Sequence, residues 1–187
     1  YCYDRPSRSI ELNNYTKKHG INNILWCCSI EEDVMHGEIL KDLKKYRYIF
    51  AREGITYQNL LKAGITESNI VKCCDPAFFL DKEKVELPKG FVDGNTVGFN
   101  VSELIISEKY PNMYEYIVGL IKEILEKTDM SVCLIPHVYS IEKNLCDWPI
   151  LSKIYGDIQS DRICIVDEEY NCEQLKYIIS KCRFMIA

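Results

Sequence analysis

YRYIFAREGITYQNLLKAG, residues 46–64, is the stretch that decides the fold. Tyr46 to Ala51 is a β-rich run with Tyr48, Ile49 and Phe50 at its centre. Arg52-Glu53-Gly54 breaks it, and residues 54–63 read as a helix with Leu60 and Leu61 inward. Gly64 stands where a helix-ending glycine belongs. A short strand, a polar break and a helix of about ten residues make half of a βαβ unit.

The same alternation extends in both directions. Upstream, Ile24 to Cys28 is a short apolar run, as a buried strand is, and residues 32–45 read as one helix. Downstream, Asn69 to Cys74 is a third strand, stopped by Asp75-Pro76. Residues 81–95 then change character: Asp81, Lys82, Glu83, Lys84 and Glu86 are charged, and Pro88, Gly90 and Gly94 form turns. We read this span as a linker.

Beyond it the alternation restarts. Strands are expected at 96–101, 130–135, 162–166 and 184–187. Pro111 fits the first position of a helix whose inner face is Met113, Ile117, Leu120, Ile121 and Ile124. A helix over 144–155 puts Leu151, Ile154 and Tyr155 inward, with Asn144 as its cap. Asn171 and Gln174 form a capping box before a helix with Leu175, Ile178, Ile179 and Cys182 inward. Parallel sheets with right-handed crossovers follow. The expected fold class is α/β with two Rossmann-like lobes: 1–80 the C-terminal part of the first, 81–95 the linker, 96–187 the N-terminal part of the second.

Composition narrows the function. The 28 acidic residues outnumber the 23 basic ones, giving a net charge of −5 and arguing against nucleic acid as a partner. No apolar run reaches the ~20 residues of a membrane helix. The 10 cysteines fall mainly in apolar runs, without Cys-x-x-Cys or histidines at ligand spacing. We read them as reduced core thiols of a cytoplasmic protein, not as zinc ligands. Tyr1 is not a start Met and Ala187 ends an apolar run, so the sequence is expected to be an excised segment.

In open α/β sheets, ligands bind beyond the C-terminal ends of strands. Those ends are followed here by Ser29, Arg52, Asp75, Ser102 and His137. A guanidinium at such a place suits phosphate or carboxylate, unless it pairs with Glu53 or a neighbouring helix. His137 has the proton affinity of an acid–base group, unless it is tied to backbone. Asp75 before Pro76 reads as a turn-former. Arg52, Ser29 and Ser102 are assigned to substrate binding and His137 to catalysis; no residue is assigned to a metal or a bound organic cofactor.

Several segments stand in a familiar order: Cys28-Ser29-Ile30; Phe50-Ala51-Arg52-Glu53 with Thr56 and Leu60; Asp75-Pro76-Ala77-Phe78 with Leu80; Val97 to Ser102; Ile135-Pro136-His137 with Asp147 downstream; and Leu175 to Phe184. Over residues 20–187 this series resembles the polysaccharide pyruvyl transferase family. The resemblance implies a two-lobed arrangement like that of GT-B glycosyltransferases. It implies transfer of pyruvate from phosphoenolpyruvate to a saccharide, as a ketal bridging two hydroxyls, in cell-envelope or capsule synthesis. Partners would be phosphoenolpyruvate and a saccharide acceptor, with peripheral contact to membrane-linked precursors. On the family motifs, Arg52 would hold the donor's anionic groups and His137 would be an active-site residue.

Two departures stand out. The family often has Gly-x-Ser where this chain has Cys27-Cys28-Ser29. Family sequences also continue past a segment like Phe184–Ala187 into an Arg-x-His motif. The resemblance implies that this motif and the family's glycine-rich start lie outside the given sequence, leaving both lobes incomplete. Two other readings compete: a glycosyltransferase of the same type, with Glu168 and Glu169 toward a nucleotide's ribose, and a non-catalytic saccharide-binding relative.

Overall fold

A computed structural model describes residues 6–106, 110–138 and 146–187, and the chain divides into two compact units, Tyr1–Leu80 and Asp81–Ala187. Each unit holds one sheet of parallel strands covered by helices, a Rossmann-like α/β build.

The first unit runs α1 (Pro6–Lys18), β1 (Ile24–Cys28), α2 (Gly37–Leu43), β2 (Tyr48–Ala51), α3 (Gly54–Lys62) and β3 (Ile70–Lys72), with sheet order β1-β2-β3. Alternation along β2 buries Ile49 and Ala51 and leaves Tyr48 and Phe50 half-buried. Ile49 and Ala51 join Leu43, Leu60 and Ile70 in one core. On the opposite face Trp26 is exposed and lies against Phe50, ring centroids 4.6 Å apart.

Three features of this unit differ from expectation. The single helix over 32–45 is a 3-10 turn, Glu32–Val34, followed by α2, because Gly37 takes a left-handed φ of 54°. Helix α1 was not anticipated. It is seated by a polar network: buried Asn13 donates to the Asp42 side chain at 3.1 Å and accepts from Asn23 at 2.6 Å. No apolar stripe announces such a helix. The third difference lies in β1, which pairs Leu25 with Ile49 but Cys28 with Ala51. One extra residue is therefore bulged out, and Cys27 carries it at φ 52°.

The second unit contains β4 (Thr96–Phe99), α4 (Met113–Lys127), β5 (Ser131–Leu134), α5 (Trp148–Asp157), β6 (Ile163–Ile165), α6 (Cys172–Lys181) and β7 (Phe184–Ile186). The sheet order is β6-β5-β4-β7, all parallel. The central strands β4 and β5 are buried at every position. Val97, Phe99, Val132 and Leu134 meet Ile117, Ile121, Leu151 and Ile154 of α4 and α5. Cys133 and Ile135 meet Ile178 of α6 on the other face. Gly98 faces that second layer too; a Cβ there would stand 2.6 Å from Met185 Sδ and 2.9 Å from Cys182 Sγ.

Residues 81–95, read as a linker, are built into this second unit. Val85, Leu87 and Phe91 pack against the core of the α6 face. Glu83 accepts from Asn171 at 3.1 Å and Gln174 at 3.0 Å, and Asp93 pairs with Lys181 at 2.7 Å. Charge and turn residues here mark an arm that crosses a helix, not a free tether.

Smaller corrections concern helix faces. Pro111 precedes α4 by two residues, and Asn112 is the cap. Ile117, Ile121 and Leu125 face inward, whereas Leu120 is exposed. In α5, Ile150, Leu151 and Ile154 are buried and Tyr155 is exposed. The cap is Asp147, and Asn144 lies outside the described residues. The Asn171–Gln174 capping box is present as expected. Cys28, Cys133 and Cys164 are buried free thiols, while Cys74 and Cys172 are exposed. Burial pushes the Cys28 thiol up to about 11. Among the described residues, no helix is long and apolar enough to cross a membrane.

The bulge at Cys27 carries a measurable strain. A non-glycine residue in the left-handed region costs roughly 1–2 kcal/mol, and glycine returns about 0.5–1 kcal/mol of that as extra unfolded-chain entropy. Cys27→Gly is therefore expected to stabilise the protein by about 0.5–1 kcal/mol in denaturant unfolding. A loss of stability would mean that the Cys27 side chain contributes more than its backbone costs.

Candidate active site at the strand edges

Parallel pairing brings the C-terminal ends of β1, β2 and β3 to one edge of the first sheet. Arg52 N donates to Cys28 O at 3.1 Å and Cys73 N to Ala51 O at 2.9 Å, so the ladder runs up to the loops themselves. Arg52 lies in the middle of that edge. Its Nε donates to Ser29 Oγ at 2.7 Å and its Nη1 to Asp75 Oδ2 at 3.0 Å. Three residues that follow three different strands thus form one contiguous cluster.

Each member is held from behind. The bulge at Cys27 sets the direction in which the chain leaves β1. Ile30, the residue after Ser29, is pinned to α3: its N–H donates to Thr56 Oγ1 at 2.8 Å, and its carbonyl accepts from Asn59 at 3.4 Å. Glu53 does not pair with Arg52. Its carboxylate caps α3 by accepting from Thr56 N at 2.9 Å, and hydrogen bonds from the Thr56 side chain and then its backbone hold its pKa below the usual carboxylate range. Asp75 does form a turn, accepting from Ala77 N at 3.0 Å, but its second oxygen takes the guanidinium.

Arg52 is 44% exposed and Asp75 37%, so their ion pair is worth at most about 1 kcal/mol. Among the described residues, Arg52 Nη2 has no hydrogen-bond partner. The arrangement offers an oriented, accessible guanidinium fork with a hydroxyl beside it. An open groove of about 370 Å³, lined by Ser29, Ile30, Glu31, Glu53, Ile55 and Thr56, adjoins Ser29.

The second sheet has its own edge. Its order places the reversal of strand sequence between β4 and β7, and ligand crevices form outside such a switch point. The loop after β4 leaves there. Asn100 N donates to Ile186 O at 2.9 Å, and half-buried Ser102 opens a 3-10 turn, its carbonyl accepting from Ile105 N at 3.2 Å. After β5, Pro136 is buried and His137 is exposed.

The His137 backbone is tied, as are its neighbours. Buried Asp147 accepts through Oδ2 from His137 N at 3.0 Å, Val138 N at 3.0 Å and Asn100 Nδ2 at 3.1 Å. Asn100 Nδ2 also donates to Ile135 O at 3.0 Å. Sequence reading gives no role to Asp147, which stands only downstream of Ile135-Pro136-His137, or to Asn100, which falls inside the Val97–Ser102 segment. A helix start placed at 144 hides that Asp147 stands at the helix entrance and turns toward the β5 loop.

Desolvation lowers the pKa of His137, while the Asp147 charge raises it in part. The net direction is down, so the imidazole is neutral at pH 7 and ready to accept a proton. The folded protein then binds this proton less tightly than the unfolded chain, where histidine titrates near about 6.5. The associated stability is fully present above about 6.5 and is lost as pH falls toward the folded pKa. An NMR titration of His137 is expected to have its midpoint below about 6.5. A midpoint at or above that value would show that Asp147 outweighs desolvation.

Comparison with known families bears on the whole of this geometry. The family model described as polysaccharide pyruvyl transferase matches residues 1–187. No curated protein matches the chain. Because the match runs from the first unit through the second, the protein belongs to the polysaccharide pyruvyl transferase family.

Proposed function

We propose that the protein moves a pyruvyl group from phosphoenolpyruvate to two hydroxyls of a saccharide, forming a ketal in cell-envelope or capsule polysaccharide synthesis. Family membership supports pyruvyl transfer in polysaccharide synthesis. The observation that carries the donor assignment is Arg52: an oriented guanidinium at a sheet's C-terminal edge, with Nη2 unbonded among the described residues. Phosphoenolpyruvate bears a phosphate and a carboxylate, the two groups that a planar fork binds best.

In this reading the two units take a GT-B-like arrangement in the cytoplasm, acting on precursors that include membrane-linked saccharides. Ser29 and Ser102 donate to substrate oxygens. Protonation of the donor's methylene carbon develops positive charge on the adjacent carbon. An acceptor oxygen bonds there while its proton passes to a base. A second hydroxyl then bonds to the same carbon as the carbon–oxygen bond to phosphate breaks; its proton passes to the departing phosphate, which leaves. Neutral His137 is matched to taking the hydroxyl proton. No step in this scheme calls for a metal or a bound organic cofactor.

The full protein, given phosphoenolpyruvate and a panel of methyl hexosides, is expected to release phosphate only when both are present. Arg52→Lys keeps the charge but loses the fork, so donor binding is expected to weaken by about 1.5–3 kcal/mol. His137→Asn is expected to lower turnover about 10²–10⁴-fold, since it retains hydrogen bonding but does not titrate. Consumption of a nucleotide sugar with phosphoenolpyruvate ignored would replace this reading. Full turnover in His137→Asn would remove His137 from the proton transfer.

A further inference from the structure

An aspartate at a helix entrance ordinarily gives its carboxylate to that helix's own first N–H groups, a cap worth about 1 kcal/mol. Asp147 precedes α5 and makes no such bond; Pro149, within the first turn, has no N–H to offer. Its carboxylate points away from the helix instead. One oxygen collects the N–H groups of His137 and Val138 and the side-chain amide of Asn100, at 3.0, 3.0 and 3.1 Å. Asp147 N donates back to Val138 O at 2.9 Å, so the loop is clamped from both directions.

Asp147 is 2% exposed. A carboxylate taken out of water to this extent must be met by donors, and three meet it. They come from two places, the end of β4 and the loop after β5. Asn100 continues the link by bonding Ile135 O, one residue before Pro136. The relative position of the β4 end and the His137 backbone is therefore fixed through one oxygen atom. Among the described residues, Asp147 is also the charged group that acts on the His137 ring.

We propose that Asp147 is a positioning residue for His137: its buried carboxylate locks the backbone of the β5 loop to Asn100 and so sets where the imidazole meets the substrate. The inference rests on the assignment of His137 to proton transfer. It makes Asp147 the residue through which loop geometry becomes turnover.

The test uses Asp147→Asn in the full protein, alone and combined with His137→Ala. Turnover is followed as phosphate release from phosphoenolpyruvate with a methyl hexoside acceptor, and the His137 ring is titrated by NMR. Asparagine keeps an oxygen where Oδ2 meets the three donors, but it carries no charge and puts an N–H₂ in place of the other oxygen, so those bonds weaken. Turnover is expected to fall about 10–100-fold, as for a misplaced catalytic group, with KM for phosphoenolpyruvate within about twofold of wild type. The His137 titration midpoint is expected to drop. In the His137→Ala background the Asp147 change is expected to add no further loss, because its effect passes through the missing ring.

Wild-type turnover in Asp147→Asn, or losses that multiply in the double variant, would overturn the proposal. Should Asp147→Asn not fold, Asn100→Ala, which removes one donor and leaves the carboxylate, is read by the same coupling to His137→Ala. If the wild-type protein releases no phosphate from phosphoenolpyruvate, the donor assignment fails on its own. The titration then decides Asp147 separately: a lowered midpoint supports the clamp and an unmoved one overturns it.

Discussion

Parallel pairing of every strand among the described residues is the constraint on which the rest depends. A parallel pair needs a crossover, and right-handed crossovers return each strand in the same direction. All the loops that leave strand C-termini then collect at one edge of each sheet. Ser29, Arg52 and Asp75 are far apart in sequence, yet Arg52 hydrogen-bonds both others across that edge. In the second unit the same rule sets the Asn100 and His137 segments side by side, close enough for one carboxylate to bond both.

How much of this is legible in the sequence depends on what kind of force holds each element. Each strand of the described residues falls in an apolar run and so stands out, including the short Ile163–Ile165 and Phe184–Ile186. Only β4 and β5 are buried at every position, however, and β1, expected as a buried strand, leaves Ile24 and Trp26 exposed. The Asn171–Gln174 box is legible because its chemistry is local. Helix α1 is not, because the contacts that seat it are polar and distant in sequence, Asn13 to Asp42, 29 residues away, and to Asn23. The inner face of α4 is rotated toward Leu125 because the phase of a helix is set by where it packs, and several apolar residues compete for the stripe. The 81–95 arm misleads for a related reason: its charges serve α6, and three apolar residues among them reach the core.

The site divides along the same line. Arg52, Ser29, Ser102 and His137 follow strand ends, a position that sequence reading recovers from periodicity. Their supports do not follow from periodicity. Nothing in Cys27-Cys28-Ser29 announces that Cys27 takes φ 52° or that β1 bulges there. Nor does an aspartate before Trp148-Pro149 reveal whether it caps its helix or deserts it for a neighbouring loop.

The two edges use opposite electrostatics, which suit different tasks. Arg52 and Asp75 meet in partial exposure, where solvent screens the pair and it contributes little. Such a partner orients a guanidinium without holding it, so an anionic ligand can compete for the same fork at small cost. Asp147 is buried, where each donor bond matters more and loss of any one leaves an unmet charge. A contact of that kind is unsuited to exchange with a ligand and suited to permanence. The accessible pair therefore suits exchange with a ligand, and the buried one suits keeping a backbone in place.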